Sequence, residues 1–238
     1  MHQVTKKAGF TLIELMLAMS FVAVLLIAIA MLTIQISSIY TKGITIKQVN
    51  EAGLELSSDL QRSIQSSAKF DASGDGDAKS FVRLQGTNSG RLCLGSYSYA
   101  WNYGEDIAKI AENQTLPNHY EIGASNKVPI RFVKVADANK QMCKTDADGA
   151  YPDIPSTDQS TELLATGDRD LAIHEFTITG SEDKGLYAIT LVLGTNDRGL
   201  LQDNECKVPS DSQGGEDYCA VNKFDIVARA GSKEGVRN

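Results

Sequence analysis

The sequence lacks the motifs that most often carry catalysis. It contains no phosphate-binding loop, no Gly-x-Ser-x-Gly nucleophile elbow and no His-Glu-x-x-His metal motif. Histidines are few, and His174 lies in an alternating run that predicts an outward-facing strand residue. These absences predict that the chain is not an enzyme.

An excess of basic residues is also missing. The chain has 23 lysines and arginines against 30 aspartates and glutamates. Residues 1–9 hold two of the basic residues and none of the acidic ones, so residues 10–238 carry 21 basic against 30 acidic side chains, a net charge of −9. Polyanion binding depends on clustered lysine and arginine. We therefore expect no general nucleic-acid binding.

Charge is absent from a long stretch near the start of the chain. No charged residue occurs between Glu14 and Lys42, and residues 15–32 are apolar except for Ser20. A helix of about 20 apolar residues spans the hydrocarbon core of a bilayer. Two lysines precede the stretch, so the positive-inside tendency places the N terminus in the cytoplasm and the rest of the chain outside. We expect a single-pass membrane protein.

The N-terminal sequence offers two possible cleavage positions. A secretory signal is cut after its apolar stretch, and residues 28–30 (Ala-Ile-Ala) offer small side chains there. That cut would leave the apolar Met31 at a new N terminus, which is a poor end for a soluble protein. The alternative is a cut before the apolar stretch, after Gly9.

The leader itself favours the earlier cut. Residues 6–15 have the sequence Lys-Lys-Ala-Gly-Phe-Thr-Leu-Ile-Glu-Leu. This sequence resembles the class III leader of type IV prepilins and pseudopilins, in which a short basic segment ends in glycine before a hydrophobic helix. The resemblance implies that prepilin peptidase cuts between Gly9 and Phe10 and methylates the new Phe10 amine.

Glu14 lies inside the hydrophobic segment. A carboxylate at a helix centre costs about 2.5 to 3.5 kcal/mol on membrane-insertion scales, so an intramembrane glutamate indicates a function and a positively charged partner. The resemblance implies that this partner is the Phe10 amine of a neighbouring subunit. The alternative is a Glu14 side chain in the lipid headgroup region, where the helix dipole favours a negative charge.

Hydrophobic periodicity extends the helix beyond the membrane. Apolar or small residues recur at steps of three or four, the period of one helical face, at Ile46, Val49, Gly53, Leu56, Leu60 and Ile64. We predict one helix from Phe10 to about Ser67, with a transmembrane or filament-core half over 10–40 and an amphipathic half over 41–67. Many major pilins carry proline or glycine in the first half, and this chain has neither before Gly43.

Residues 68–238 are predicted to form one β-rich extracytoplasmic domain. Short runs rich in β-branched and aromatic residues, bounded by turn residues, predict strands at 81–84, 92–103, 128–135, 171–179, 186–194 and 221–228. The predicted fold class is α+β and pilin-like, with the long helix packed on one or two antiparallel sheets.

Four aromatic residues alternate along the second of these runs. They share one face of the predicted strand and are Tyr97, Tyr99, Trp101 and Tyr103. Core packing is the simpler interpretation. An exposed row would instead form a platform for a sugar or a partner subunit.

An acidic turn follows the predicted helix. Asp71, Asp75 and Asp77 offer hard oxygen ligands of the kind that calcium takes, but their spacing does not fit an EF-hand loop. A solvated turn is the simpler interpretation. We therefore expect no cofactor, with calcium at this turn as the alternative.

Four cysteines lie beyond the hydrophobic segment, with no Cys-x-x-Cys pair among them. An even number of cysteines in an exported domain favours disulfides over a zinc site. Three pairings are possible, and we prefer Cys206 with Cys219 and Cys93 with Cys143. Free thiols are the alternative.

These features together favour a structural subunit. Residues 55–64 (Glu-Leu-Ser-Ser-Asp-Leu-Gln-Arg-Ser-Ile), followed by a long β-rich region, resemble the larger minor pilins and the J-type pseudopilins. The resemblance implies a filament of pilin subunits, processing by prepilin peptidase, an inner-membrane assembly platform, and membrane lipid around the helix before assembly. The implied location is the cell-surface pilus. Alternatives are a periplasmic pseudopilin of a type II secretion system and an anchored adhesin-type binding module.

Overall fold

The computed structural model describes residue 9 and residues 11–73, 80–84, 87–111, 121–122, 128–147, 149–155, 158–164, 170–197, 199–202, 204–207 and 218–231. Its largest element is helix α1 (Leu12–Ser66), which runs for 55 residues. At 1.5 Å per residue this helix is about 80 Å long. The helix is followed by its C-cap residue, Ser67, whose backbone is extended and whose N–H donates to the Ile64 carbonyl. The prediction of one long helix ending near Ser67 is confirmed.

The two halves of α1 have different surroundings. Apolar side chains from Leu12 to Tyr40 are exposed on all sides. Beyond them one face is buried, and it consists of Thr45, Val49, Gly53, Leu56, Leu60, Ser63 and Ile64. The predicted face differs at its start, because Ile46 is 43% exposed and Thr45 is buried in its place. Thr45 tolerates burial because its hydroxyl donates to the Thr41 carbonyl at 3.0 Å.

Five strands form one antiparallel sheet. They are β1 (Phe81–Arg83), β2 (Gly90–Cys93), β3 (Tyr97–Trp101), β6 (Phe132–Ala136) and β7 (Ser160–Glu162), in the spatial order β1-β2-β3-β6-β7. Between β3 and β6 the chain forms helix α2 (Gly104–Ala111) and a short strand pair, β4 (Glu121–Ile122) with β5 (Val128–Pro129).

Three longer strands form a second antiparallel sheet. They are β8 (Leu171–Ser181), β9 (Leu186–Thr195) and β12 (Val221–Arg229), in the order β12-β9-β8. A small hairpin of β10 (Leu201–Gln202) and β11 (Glu205–Cys206) lies between β9 and β12 along the chain. The buried face of α1 packs on β12 and β9. The predicted arrangement of a long helix on antiparallel sheets is therefore confirmed.

Two of the predicted strands are each divided in the structure. The run 92–103 contains a turn between β2 and β3, where Gly95 has a φ of +96° and the Leu94 N–H donates to the Tyr97 carbonyl at 2.9 Å. Glycine suits this turn because it adopts positive φ without steric cost. The run 128–135 is divided at residues 130–131. The alternation of apolar and polar residues predicts the strands on either side of such a turn, but it does not show where the turn lies between them.

Aromatic side chains join the two sheets. Trp101 is 1% exposed, and its ring centroid lies 4.3 Å from that of Phe176 and 6.0 Å from those of Phe81 and Phe132. Phe176 belongs to β8, whereas the other three belong to the five-stranded sheet. Tyr99 is also fully buried. The core interpretation is confirmed for Tyr99 and Trp101.

The other two aromatic residues of that run lie at the margin of the core. Tyr97 is 40% exposed, and Lys134 Nζ sits 4.2 Å from the centroid of its ring. Tyr103 is half-buried, and its hydroxyl contacts the backbone of Phe176. The four residues therefore do not form a row of exposed rings.

Polar contacts fix α1 to both sheets. The Tyr99 hydroxyl lies 2.7 Å from the Asp59 carboxylate, which also accepts from Lys134 Nζ at 2.7 Å. Burial raises the pKa of Tyr99 well above its usual value, so the phenol stays protonated and available as a donor. On the other sheet, the Gln61 amide donates to the Val227 carbonyl at 3.1 Å. The amphipathic half of α1 and the β-domain are thereby held as one unit.

Gly53 marks a close approach between α1 and β12. A Cβ atom at this position would overlap the ring of Phe224. A Cβ atom at Gly43, by contrast, would meet nothing within 4 Å. The helix can lie this close to the sheet because residue 53 has no side chain.

We expect Gly53→Ala to destabilise the protein by about 1 to 3 kcal/mol, because the Phe224 ring must give up its packing against the helix. The matched control Gly43→Ala should stabilise it by up to about 1 kcal/mol, since alanine is the better helix former. Thermal unfolding in detergent micelles, followed by circular dichroism, measures both changes. With Phe224→Ala in the background, Gly53→Ala should become neutral or stabilising. Equal effects of the two glycine changes in the wild-type background would contradict this account.

Two disulfides form, Cys93–Cys143 and Cys206–Cys219, which is the pairing preferred on the sequence. The first joins β2 to a 3-10 helix (Gln141–Cys143) that covers one face of the five-stranded sheet. A second apolar cluster lies under this cover and consists of Val82, Cys93, Ala100, Ile130, Val133, Val135, Met142, Cys143 and Ile154. The second disulfide joins the β10–β11 hairpin to the segment that precedes β12.

Loss of Cys93–Cys143 should cost more stability than loss of Cys206–Cys219. The two bonds join residues 50 and 13 positions apart. On the chain-entropy model these spans correspond to about 4 and about 3 kcal/mol. Replacing the first pair with alanine also removes buried sulfur atoms from the second apolar cluster. Urea unfolding of the two double-alanine variants measures the difference, and the reverse order would contradict the expectation.

Candidate functional site

The start of α1 brings Thr11 and Glu14 together. Thr11 is the N-cap residue, with extended backbone (φ −78°, ψ 151°). Its N–H and its hydroxyl both donate to Glu14 Oε2, at 2.9 and 2.8 Å, and the Glu14 N–H donates to Thr11 Oγ1 at 3.4 Å. These reciprocal bonds form a capping box, which satisfies two backbone N–H groups at a helix start.

The Glu14 carboxylate keeps one oxygen available. Both bonds from Thr11 end on Oε2, and within the described part of the chain Oε1 accepts no hydrogen bond. The side chain is exposed. Since an ionised carboxylate accepts at both oxygens, a positively charged group can bind Oε1 without breaking the capping box.

Gly9, next to the predicted cleavage position, is exposed. A Cβ atom at Gly9 would meet nothing within 4 Å, so the fold does not require a glycine there. Phe10 and residues 1–8 lie outside the described residues. The processing hypothesis for Gly9 and Phe10 therefore stays a prediction.

The apolar half of α1 is long and apolar enough to cross a membrane. An 18-residue window of the helix has a mean hydropathy of 2.8, and none of that window is buried inside the structure. Two of its polar side chains bond to the helix backbone, since Ser20 Oγ donates to the Leu17 carbonyl (2.7 Å) and Thr33 Oγ1 to the Ile29 carbonyl (2.8 Å). The helix therefore presents an apolar surface on all sides, as a helix surrounded by lipid or by other helices does.

The acidic turn after α1 is only partly described. Asp71 accepts hydrogen bonds from the N–H and from the hydroxyl of Ser73, each at 2.8 Å, and these bonds lower the pKa of its carboxyl group. Such bonds are typical of an Asx turn, in which the aspartate side chain accepts from the backbone two residues further on. Asp75 and Asp77 lie outside the described residues. Among the residues that are described, no group of three or more His, Cys, Asp or Glu could hold a metal ion. Calcium binding at this turn stays a hypothesis.

His174 is buried, and the prediction of an outward-facing residue is wrong. It is 5% exposed, and its Nε2 lies 3.0 Å from the Thr195 carbonyl oxygen. A β-bulge between Ile173 and Glu175 interrupts the alternation of β8, so residue 174 does not follow the two-residue period. Burial lowers the pKa of His174, which favours the neutral ring.

The capping box is the one feature of this site that the sequence predictions missed. Its signal is present, because a threonine followed three residues later by glutamate at the start of an apolar run is the capping-box pattern. The position of Glu14 in an apolar run predicts a positively charged partner, and the resemblance of the leader implies that this partner lies in another subunit. The structure adds a partner, Thr11, in the same chain.

Comparisons with models of known protein families, with curated proteins and with solved structures found no match to this chain. The fold and the site define a protein in which one candidate membrane-spanning helix carries an antiparallel β-domain with two disulfides. A more specific hypothesis about function depends on the sequence of the N-terminal residues.

Proposed function

We propose that this chain is a structural subunit of a type IV pilus-like filament, anchored in the membrane by the apolar half of α1 before assembly. The observation that carries the proposal is the sequence of residues 6–14, in which two lysines and Gly9 precede Phe10 and the Thr11–Glu14 helix start. Removal of residues 1–9 by prepilin peptidase places a free amine on Phe10. That amine lies four residues before the Glu14 carboxylate.

In the proposed filament, the Phe10 amine of one subunit binds Glu14 Oε1 of its neighbour. An ion pair gains strength where lipid or packed helices exclude water, and an unpaired charge there is costly. The capping box supports this role because it holds the carboxylate at the helix start before the partner arrives. The exposed apolar halves of α1 supply the remaining contact between subunits.

A minor subunit is the more particular proposal. In the type IV pilin family, which the leader of this chain resembles, many major pilins have a proline or glycine in the transmembrane half of the helix, at the point where the helix melts during assembly. Here α1 is continuous from Leu12, with no such residue before Gly43. The proposal also includes a cytoplasmic N terminus before assembly and a β-domain outside the membrane, with the assembly platform and neighbouring pilin subunits as partners.

Mass spectrometry of the protein recovered from membranes tests the processing step. In a host with a prepilin peptidase, we expect the mature chain to begin at N-methylated Phe10, whereas a host without the enzyme should retain residues 1–9. Gly9→Val should block the cut and leave thermal unfolding unchanged, since the fold leaves room for a side chain there. A mature terminus at Met31, or an uncut leader in the presence of the peptidase, would overturn the proposal.

A further inference from the structure

Two sheet edges face one groove. Strand β1 ends the five-stranded sheet and β8 ends the three-stranded sheet, and in the described part of the chain the outer side of β8 has one isolated bridge, between Ile173 and Tyr103. A groove of about 560 Å³ lies between the two strands. It is lined by Phe81, Val82 and Arg83 of β1, by Ile178, Thr179 and Gly180 of β8, and by Ala72, Ser73 and Tyr151.

The hydrogen bonds of β1 identify its open groups. The Ser80 carbonyl and the Leu84 N–H both bond towards the β2 side, at 2.7 and 2.9 Å. In an antiparallel pair, the backbone N–H and C=O groups of alternate residues point to the same side. The groups of Phe81 and Arg83 therefore point away from β2, on the outer edge of the sheet.

Tyr103 identifies the open groups of β8. Its hydroxyl accepts from the Phe176 N–H at 2.7 Å and donates to the Phe176 carbonyl at 3.2 Å, so it takes the place of a neighbouring strand at that residue. By the same alternation, Ile178 and Gly180 also point their N–H and C=O groups away from β9. No hydrogen bond to these groups is found on that side among the described residues. Open groups of this kind are what an edge strand offers to an added strand.

The side chains around these groups are apolar, with one positive charge. Phe81, Ala72 and Ile178 give the groove apolar walls. Arg83 is the one charged side chain that lines it among the described residues, and its guanidinium lies 5.6 Å from the centroid of the Phe81 ring. Arg83 forms no ion pair within the described part of the chain. The acidic Glu175 lines the neighbouring cavity that Arg83 also borders.

From this geometry we propose that the groove between β1 and β8 binds an extended acidic peptide segment of a partner protein by strand addition. The added strand bonds to the open groups of Phe81 and Arg83 on one side and of Ile178 and Gly180 on the other. Alternate apolar side chains of the peptide pack on the walls, and a carboxylate pairs with Arg83. This site lies in the β-domain and does not depend on filament assembly through α1.

A peptide screen on the full chain in lipid nanodiscs tests the proposal. The probe is a positional-scanning library of blocked heptapeptides, with binding followed by fluorescence polarisation. We expect selection of apolar residues at alternate positions and of Asp or Glu at one position. N-methylation of central peptide nitrogens should weaken binding at least about tenfold, because each strand-addition bond needs its N–H. A library with no selected peptide, or selected peptides that tolerate N-methylation, would overturn strand addition.

Variants of the groove make the test specific. Arg83→Glu should weaken binding of the selected peptide about tenfold, whereas the control Arg229→Glu changes the same charge on an exposed β12 residue outside the groove and should have no effect. Bound peptide should slow amide exchange at Phe81, Arg83, Ile178 and Gly180 and leave Thr179 unchanged, since Thr179 already bonds to β9. Equal loss in both arginine variants, or slowed exchange elsewhere, contradicts the site. Groove-dependent self-association in sedimentation experiments would replace the partner protein with a second copy of this chain.

Discussion

Replacing Glu14 with alanine is expected to leave membrane insertion intact and to reduce incorporation into filaments at least about tenfold. Insertion depends on the apolar half of α1, which the change makes more apolar. If the proposed ion pair forms, the variant loses one partner of a desolvated pair, and an unpaired charge in such a place costs about 3 to 5 kcal/mol. Immunoblots of carbonate-washed membranes and of sheared filaments, from a host with a filament assembly system, measure the two quantities separately.

Two further variants separate charge from helix capping. Glu14→Gln keeps a hydrogen-bond acceptor for Thr11 but removes the charge, and it should fail in incorporation as Glu14→Ala does. Thr11→Ala keeps the charge and removes the hydroxyl that bonds Oε2, at a cost of about 1 kcal/mol in helix stability. It should be incorporated almost as well as the wild type. Normal incorporation of Glu14→Gln would show that charge pairing has no role.

Replacing Trp101 with alanine is expected to destabilise the β-domain by about 3 to 5 kcal/mol. The indole is buried and contacts the rings of Phe81, Phe132 and Phe176, so its loss leaves a cavity where the two sheets meet. Urea unfolding in detergent, followed by near-ultraviolet circular dichroism, measures the change. The signal from this single tryptophan disappears in the variant, so tyrosine bands and protease resistance provide the second probe.

The matched control for Trp101 is Tyr97→Ala on the same strand. Tyr97 is 40% exposed and contacts Lys134 from the surface side, so its loss should cost less than about 1 kcal/mol. Comparable losses for the two variants would show that the aromatic core is not where the sheets are joined. A Tyr97→Ala variant of normal stability is also the one to use in any test of sugar binding by this strand.

Much of the fold was predictable because its signals are local. The apolar stretch is long enough for a membrane-spanning helix, the following face at Val49, Leu56 and Leu60 has the helical period, and the structure forms one helix over both. The strands β8, β9 and β12 are long and rich in β-branched and other apolar residues, and their predicted bounds are close to the observed ones. Nearby residues determine such elements, so a single sequence contains the information.

Other parts depended on contacts that no local pattern contains. Helix α2 has acidic residues in its first turn and Lys109 in its last, but eight residues are too few for a clear period. The burial of His174 follows from a bulge in β8, and the bulge depends on the register with β9. The facing edges of β1 and β8 depend on strand order, which residues far apart in the chain determine.

The candidate site also has parts that the sequence predicted and parts that it did not. Glu14 was predicted from one charge in an apolar run, which is a composition signal. The role of Thr11 needed the geometry of the helix start, although the spacing of the two residues indicated it. The predicted cut after Gly9 depends on recognition by another protein, so the fold of this chain does not contain that information.

The contact between α1 and β12 joins the beginning of the chain to one of its last segments. The Gln61 amide donates to the Val227 carbonyl, and the Asn222 amide donates to Asn50, across 166 and 172 residues. During synthesis, the apolar face at Leu56 and Leu60 therefore stays partly uncovered until β12 has been made and has joined the sheet. Contacts of such long sequence separation form slowly. A truncated chain that lacks β12 keeps that face exposed, and a chaperone or protease can distinguish it from the completed chain by that exposed apolar surface.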